Sequence, residues 1–425
     1  MSKALLAHTL RWETILLFLS LVVANVSMFA MGSLGDYQVS FYKSAQYLLH
    51  GDNIYTSPYP HPTLGREYPP FNPVWAIHTI IPISVFPLKQ AVSLRYGIDL
   101  VMIPFVIYLC ARMVHLNTHW VFIFVVAAPW HFITLYSGQW TTLVFLGMLL
   151  CYYGVHRRHA PLVAIGIWLA MIKVNLTLPI ILVTLWLVWR NEMFSKTIKW
   201  LVVLVTIFSL AQPLWFYDLL MLYYNRLQTP RLADSVLLLP GYPWSQLILL
   251  VSGIVFASWY LARTHMLKPE PWFWALLIAL GLVSALHTFT YDWLVLALPI
   301  IWLLHDNVRR IWWLALLYVY PFIWMMVLRA LGVSIHSAFF TPGEFMMLVV
   351  WSILAPGFVG LALGQRMRAV LTVYVLLVGM MITLVLVQPA LSPAFIPGVV
   401  LLVLVVTLWR QGVLWGKVVY AKRME

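Results

Sequence analysis

The sequence predicts an all-α polytopic membrane protein, on three observations. Of its 425 residues, 63% are hydrophobic and 9% charged, against about 45–50% and about 25% in a soluble domain. Mean hydropathy is +0.90, and the apolar residues come in long runs rather than in the alternation of barrel strands. At about 20 residues per crossing, spans can take up most of the chain. Soluble enzymes, disulfide scaffolds, disordered chains and coiled coils are excluded by the same composition. Lys and Arg number 26 against 13 Asp and Glu, a formal net charge of +13. In a chain this apolar, the excess reads as basic anchoring of cytoplasmic loops. There is no Arg-rich tract and no nucleic-acid module, so no nucleic-acid partner is expected. Cys110 and Cys151 sit inside apolar runs without metal-ligand spacing, and read as small buried hydrophobes.

The first element is the apolar run 12–31 behind Lys3 and Arg11. It is longer than a cleavable h-region and lacks a clean A-x-A site, so it is expected to stay as a transmembrane helix. A polar first outer loop follows, 32–92. Within it Phe41/Tyr42, Ala45 and Leu48/Leu49 recur three to four apart, the spacing of a helix laid on the interface. Gly51 is placed to cap that helix, and Asp52-Asn53-Ile54-Tyr55 reads as a turn.

Tyr68–Leu88 is apolar enough for a span, yet it contains Pro69, Pro70, Pro73, Pro82 and Pro87. The basic residues decide its placement. If it crosses, Arg157-Arg158, Arg309-Arg310 and the Arg366/Arg368 pair all face outward. If it stays at the outer interface, these fall inside, together with Arg112, Arg190, Lys196, Arg263, Lys268 and Arg410, as the positive-inside rule requires. The interfacial placement is therefore expected, with both termini cytoplasmic in a cell membrane.

Further spans are expected near 94–112, 118–136, 139–155, 160–173, 176–190, 197–217, 244–262, 272–287 and 291–305. Four more follow near 311–328, 345–364, 369–387 and 395–411, for about 12–14 transmembrane helices in all. Outer turns then present Ser137-Gly138-Gln139, Lys173–Asn175 and His287–Asp292. A second outer loop near 218–243 carries Asp218, Arg226, Arg231 and Asp234. The abundant Trp and Tyr are explained mostly by aromatic belts at the two interfaces. No soluble domain and no internal repeat is visible.

The pattern Asp36 … Tyr42 … Ala45 … Leu49-x-Gly51 … Tyr55 … Tyr68-Pro69-Pro70 resembles the opening of glycosyltransferase family 87. Its members are polyprenol-phosphate-mannose-dependent α-mannosyltransferases of the GT-C fold. Gly138-Gln139 is similar to the family's G-Q turn before an apolar helix, and Ile172-Lys173 to its lysine after a short helix. Tyr291-Asp292, followed by an apolar run and Pro299, resembles its later aromatic-acidic turn. Two departures stand out: Val174 where the family often has Pro, and Trp293 where many members have His. The resemblance implies a GT-C-like catalytic membrane domain over 1–310 and additional C-terminal transmembrane helices over 311–425.

It also implies an inverting glycosyl transfer at the extracytoplasmic face. A hexose, mannose by the resemblance, would pass from a polyprenyl-phosphate-linked donor to a lipid or glycan acceptor. Such a reaction needs a carboxylate to take the acceptor's proton, cations for the departing phosphate and a groove in contact with membrane lipid. Asp36, at the outer mouth of the first helix, is expected to be the catalytic base; the competing reading is a helix-end or N-cap residue. Lys173 lies between two short apolar segments, where a charge is expensive and usually functional. It is expected to bind donor phosphate, with snorkelling as its alternative, and Arg226 and Arg231 are candidates for the same phosphate. Tyr37, Tyr42, Tyr55, Arg66, Tyr68, Gln139, His287 and Asp292 are the candidate substrate-binding residues. Asp292 either orients an acceptor sugar or pairs with a neighbouring Arg. No D-x-D pair is present, and a metal-independent reaction without a cofactor is expected. A polytopic transporter or lipid flippase is the alternative class; it would favour midplane ionisable groups, discontinuous helices and internal repeats.

Overall fold

The computed structural model describes residues 37–56, 59–60, 67–68, 73–115, 134, 138–209, 217–218, 220–221, 244–264, 267–285 and 290–305. The expected first helix, the run 118–136 apart from Thr134, and all segments beyond 305 lie outside the described residues. Within them the chain is helical, apart from a two-residue antiparallel ladder between β1 (Tyr59–Pro60) and β2 (Glu67–Tyr68).

The helix expected from residue spacing in the first loop forms, with one difference at its start. A π-helical turn, Tyr37–Tyr42, leads into α1, Lys43–His50, which buries Ser44, Ala45 and Leu48. Gly51 closes it at φ 84°, its N–H on Leu48 O at 3.1 Å, followed by Asp52 N–H on Tyr47 O at 3.0 Å. That left-handed cap is the reason for a glycine. Asn53 Oδ1 then accepts the Tyr55 N–H at 3.0 Å, which makes the expected turn an Asx turn.

The proline-rich segment breaks into two short helices, α2 (Val74–His78) and α3 (Ile81–Ser84). Neither approaches the roughly 20 residues a crossing needs. Both rest beside α1: Gln46 Nε2 donates to Ser84 O at 2.5 Å, and Tyr42 Oη to Phe86 O at 2.9 Å.

The long helices follow. They are α4 (Leu88–Met113), α5 (Thr141–Arg157), α6 (Ala160–Ala170), α7 (Val174–Arg190) and α8 (Phe194–Ser209), then α9 (Trp244–Thr264), α10 (Pro271–Ser284) and α11 (Ala297–His305). Short 3₁₀ turns, Met171–Lys173 and Thr290–Leu296, precede α7 and α11. Two boundaries correct the expected ones. α4 begins at Leu88 rather than 94, because Pro87 opens it. α10 ends at Ser284 rather than 287.

Among the described residues, three stretches are long and apolar enough to cross a membrane: Leu88–Met113, Ala160–Arg190 and Gln246–Thr264. The middle one is not a straight rod. Lys173 breaks it at φ −129°, ψ 69°, and the residues before it (Arg158–Pro161) and after it (Asn191–Met193) line one common cleft. The chain therefore doubles back at Lys173, as the expected turn there requires.

Hydrogen bonds between distant segments define two ends of the bundle. At the upper end Arg95 Nη2 donates to Gln139 O at 3.0 Å, Gln246 Nε2 to Ala285 O at 3.0 Å, and Asn53 Nδ2 to Asp218 Oδ2 at 2.8 Å. At the lower end Asn191 Nδ2 reaches Leu267 O at 3.0 Å, beside the Arg158 turn. The basic turns at Arg158, Lys196 and Lys268 thus share an end.

Small residues bring α5 and α6 into backbone contact. A Cβ on Gly147 would lie 2.7 Å from Ala170 N, and one on Gly166 2.7 Å from Cys151 N, the close approach typical of packed apolar helices. Cys110 and Cys151 are buried free thiols, as expected. The tryptophans divide into two groups. Trp140, Trp272, Trp274 and Trp293 are fully buried in the protein, whereas Trp189, Trp200, Trp244 and Trp259 are exposed. Trp274 can be buried because its Nε1 donates to Met148 O at 3.0 Å.

Candidate functional site

Three chain segments far apart in sequence bring polar side chains together at the upper end. α5 begins with Thr141, the 3₁₀ turn before α7 ends with Lys173, and the 3₁₀ turn before α11 carries Asp292. Lys173 Nζ lies 2.6 Å from Asp292 Oδ1 and 3.3 Å from Thr141 Oγ1; Thr141 Oγ1 itself donates to Asp292 Oδ1 at 2.8 Å. The carboxylate is almost fully buried, with 3% exposure, and the lysine side chain keeps 13%. Asp292 was expected to pair, if at all, with an arginine. Its partner is Lys173 instead, because the helix break delivers the ammonium to it.

The break is itself held in place. Thr177 Oγ1 bonds both Ala170 O at 2.8 Å and Lys173 O at 3.1 Å. The single hydroxyl proton, shared between them, reaches the Ala170 carbonyl that the interrupted helix leaves without its usual donor.

A second polar cluster supports the first from α4. Arg95 and Asp99 are 3% and 1% exposed, with Arg95 Nε 3.1 Å from Asp99 Oδ2 one turn along the helix. The contact is ionic, since neither Arg95 Nε nor either Asp99 oxygen makes an aligned hydrogen bond. Arg95 also holds the Gly138-Gln139 turn through Gln139 O, and its guanidinium lies 5.2 Å from the centroid of Trp140. Trp140 meets Phe41 edge-on at 5.1 Å, and Phe41 lies 6.5 Å from Tyr37. A continuous path of aromatic and cationic contacts thus joins the first loop to α4 and α5.

Gly138 shows why the turn has its sequence. It sits at φ 60°, and a Cβ there would fall 2.6 Å from Tyr37 Cβ. Both the backbone conformation and the approach of Tyr37 exclude a side chain.

The expected substrate-binding residues are divided. Tyr37 is fully buried, and burial pushes its phenol up to about 12. Tyr55 is buried and Tyr42 half-buried, its hydroxyl used on Phe86 O. Gln139 is buried beneath Arg95, and Tyr68 lies in β2. Asp36, Arg66, Arg226, Arg231 and His287 lie outside the described residues. Lys173 and Asp292 are in direct contact, and Gln139 is two residues from Thr141.

Sequence reasoning missed Arg95, Asp99 and Thr141. Opposite charges four apart at the head of an apolar run were the available signal for the first two. Thr141 had none, since its role comes from a contact spanning 151 residues. Among the described residues, no group of three or more His, Cys, Asp and Glu side chains is arranged to hold a metal ion. Comparison with protein-family models, curated proteins and solved structures returns no match.

Proposed function

We propose that this chain is a membrane glycosyltransferase that moves a hexose, mannose in the first instance, from a polyprenyl-phosphate-linked donor to a lipid or glycan acceptor. The reaction runs at the extracytoplasmic face, on a GT-C-like bundle of about 12–14 transmembrane helices. The observation that carries the reading is the meeting of Lys173, Asp292 and Thr141 at the end that also holds the Gly138-Gln139 turn and Tyr37. Gly138-Gln139, Lys173 and Asp292 belong to three of the sequence motifs that resemble family 87, and Tyr37 directly follows Asp36, which opens the fourth.

Asp36 takes the proton of the acceptor hydroxyl as that oxygen bonds to C1. The bond from C1 to the phosphate oxygen breaks on the opposite face, and its electron pair stays with the phosphate. Lys173 receives the charge that develops there. Asp292 neutralises that lysine until a phosphate competes for it, and Thr141 offers a hydroxyl to either anion. Arg226 and Arg231 are further phosphate ligands in this scheme, while Arg66 and His287 serve the substrates.

The test uses membranes carrying the full chain, labelled polyprenyl-phosphate mannose and a lipid or glycan acceptor. Asp36→Asn is expected to lower transfer by at least about a hundredfold. Unchanged transfer in that variant removes Asp36 as the base.

A transporter or flippase is a second reading, favoured by the helix interrupted at an ionisable residue, Lys173. Substrate movement across proteoliposomes without any transfer product supports it over the enzyme.

A further inference from the structure

The lower end carries a second feature, far from Lys173 and Asp292. A cleft of about 480 Å³ opens between the turn joining α5 to α6 and the turn joining α7 to α8. Arg158, Lys196 and Lys199 bring three cations to it against one carboxylate, Glu192. His159 lines it too, with its Nδ1 already accepting the Leu162 N–H at 3.2 Å.

Two details separate this cleft from an ordinary solvated basic loop. Both turns end a helix with a charged residue in the left-handed region, Arg158 at φ 51° and Glu192 at φ 60°. Each closes a Schellman-type cap: His159 N–H on Gly154 O at 2.9 Å, and Met193 N–H on Val188 O at 2.9 Å. Glycine is the favoured residue at such a position, so the charged side chains are kept against a backbone preference. The second detail is Asn191, which lines the cleft with 8% exposure. Its amide nitrogen serves Leu187 O and Leu267 O, while Oδ1 has no partner among the described residues. The amide thereby fixes the floor of the cleft to Leu267, 76 residues along the chain.

The surface above the cleft indicates what the ligand is attached to. Lys196, Trp200, Val203 and Ile207 follow at i, i+4, i+7 and i+11, along one exposed face of α8. A cation stands at the cleft, an indole beside it, and aliphatic side chains 44% and 66% exposed continue along the helix. A free phosphate would use the cations but not the apolar stripe.

We propose that this cleft binds the phosphate-bearing headgroup of an anionic glycerophospholipid, whose acyl chains lie along the exposed apolar face of α8. The phosphate meets Arg158, Lys196 and Lys199. Basic pockets between transmembrane helices recognise lipid headgroups through such clustered charge.

The full chain is placed in nanodiscs of phosphatidylcholine with a minority of phosphatidylglycerol, and retained lipid is counted by native mass spectrometry. Wild type is expected to retain phosphatidylglycerol in preference, and Lys196→Gln and Lys199→Gln each to weaken retention by about fivefold. Arg158→Gly is expected to weaken retention likewise without lowering the apparent Tm, since glycine suits the cap; this separates binding from folding. Retention unchanged in the Lys196→Gln/Lys199→Gln double variant overturns the proposal. So does an equal loss in Lys43→Gln, a lysine of α1. Displacement of the bound lipid by millimolar inorganic phosphate assigns the cleft to free phosphate and overturns the lipid.

Discussion

Lys173→Met keeps the length of the side chain and removes its charge, leaving Asp292 without its cation but still bonded by the Thr141 hydroxyl. At 2.6 Å and an effective dielectric of about 20, the Coulomb attraction lost is about 6 kcal/mol. Much of that is offset in the wild type by the desolvation of both ions, so the attraction is not the net stabilisation. The carboxylate, however, stays buried at 3% exposure when its partner goes. Breaking such a pair from one side destabilises by about 3–5 kcal/mol. The lower figure applies here, because the Thr141 hydroxyl still donates to Asp292. With an unfolding entropy of about 2.1 cal/mol/K per residue, a loss of about 3 kcal/mol lowers the apparent Tm by roughly 3 °C. Thermal unfolding in detergent, followed by tryptophan fluorescence, measures it. Adding Asp292→Asn removes the stranded charge and is expected to recover at least half of the loss. Strict additivity of the two substitutions, or no effect from Lys173→Met, refutes the coupling.

Gly138→Ala places a Cβ 2.6 Å from Tyr37 Cβ at a φ of 60°, and is expected to destabilise by about 2 kcal/mol, seen as a lower apparent Tm and a weakened transfer activity. Tyr37 makes stability depend on alkaline pH. Its folded pKa of about 12 lies above the ordinary value of 10.0, so its contribution is full below pH 10 and is lost as pH rises toward 12. The loss is about 2–3 kcal/mol at most, and the apparent Tm of Tyr37→Phe should fall less over that window than wild type. A parallel fall in both proteins rules out Tyr37 as the titrating group.

The elements that were legible in the sequence are those fixed by a local backbone requirement. Gly51 caps a helix at φ 84°, the prolines between 73 and 87 chop an apolar run into α2 and α3, and Gly138 marks a turn that no other residue fits. Each is a property of one position and its neighbours. The burial of Trp274 was not legible for the complementary reason. Trp274 sits in the core with its Nε1 on Met148 O, 126 residues away, and composition carries no trace of that contact. Arg95 and Asp99 lay in plain sight four residues apart, yet an apolar run of 26 residues absorbs one ion pair without ceasing to look like a span.

The Lys173–Asp292 pair spans 119 residues, and its two halves owe their positions to different causes. Lys173 is fixed by its own backbone: the helix stops there, and the Thr177 hydroxyl bonds the carbonyls of Ala170 and Lys173. Asp292 is fixed by what surrounds it, between Thr141 and the fully buried Trp293. The lysine therefore does not depend on the carboxylate to stay where it is, and a competing anion can take the ammonium without unravelling the turn. A pair built only for stability gains nothing from that independence, since well-packed apolar residues do as well. A cation that must be handed from a resident carboxylate to a transient phosphate requires it. On that ground Asp292→Asn is expected to leave Lys173 in place and to strengthen the competition of free polyprenyl phosphate with the sugar-linked donor, measured as a lower inhibition constant. An unchanged inhibition constant in Asp292→Asn, with transfer still active, would mean that Lys173 never meets the phosphate.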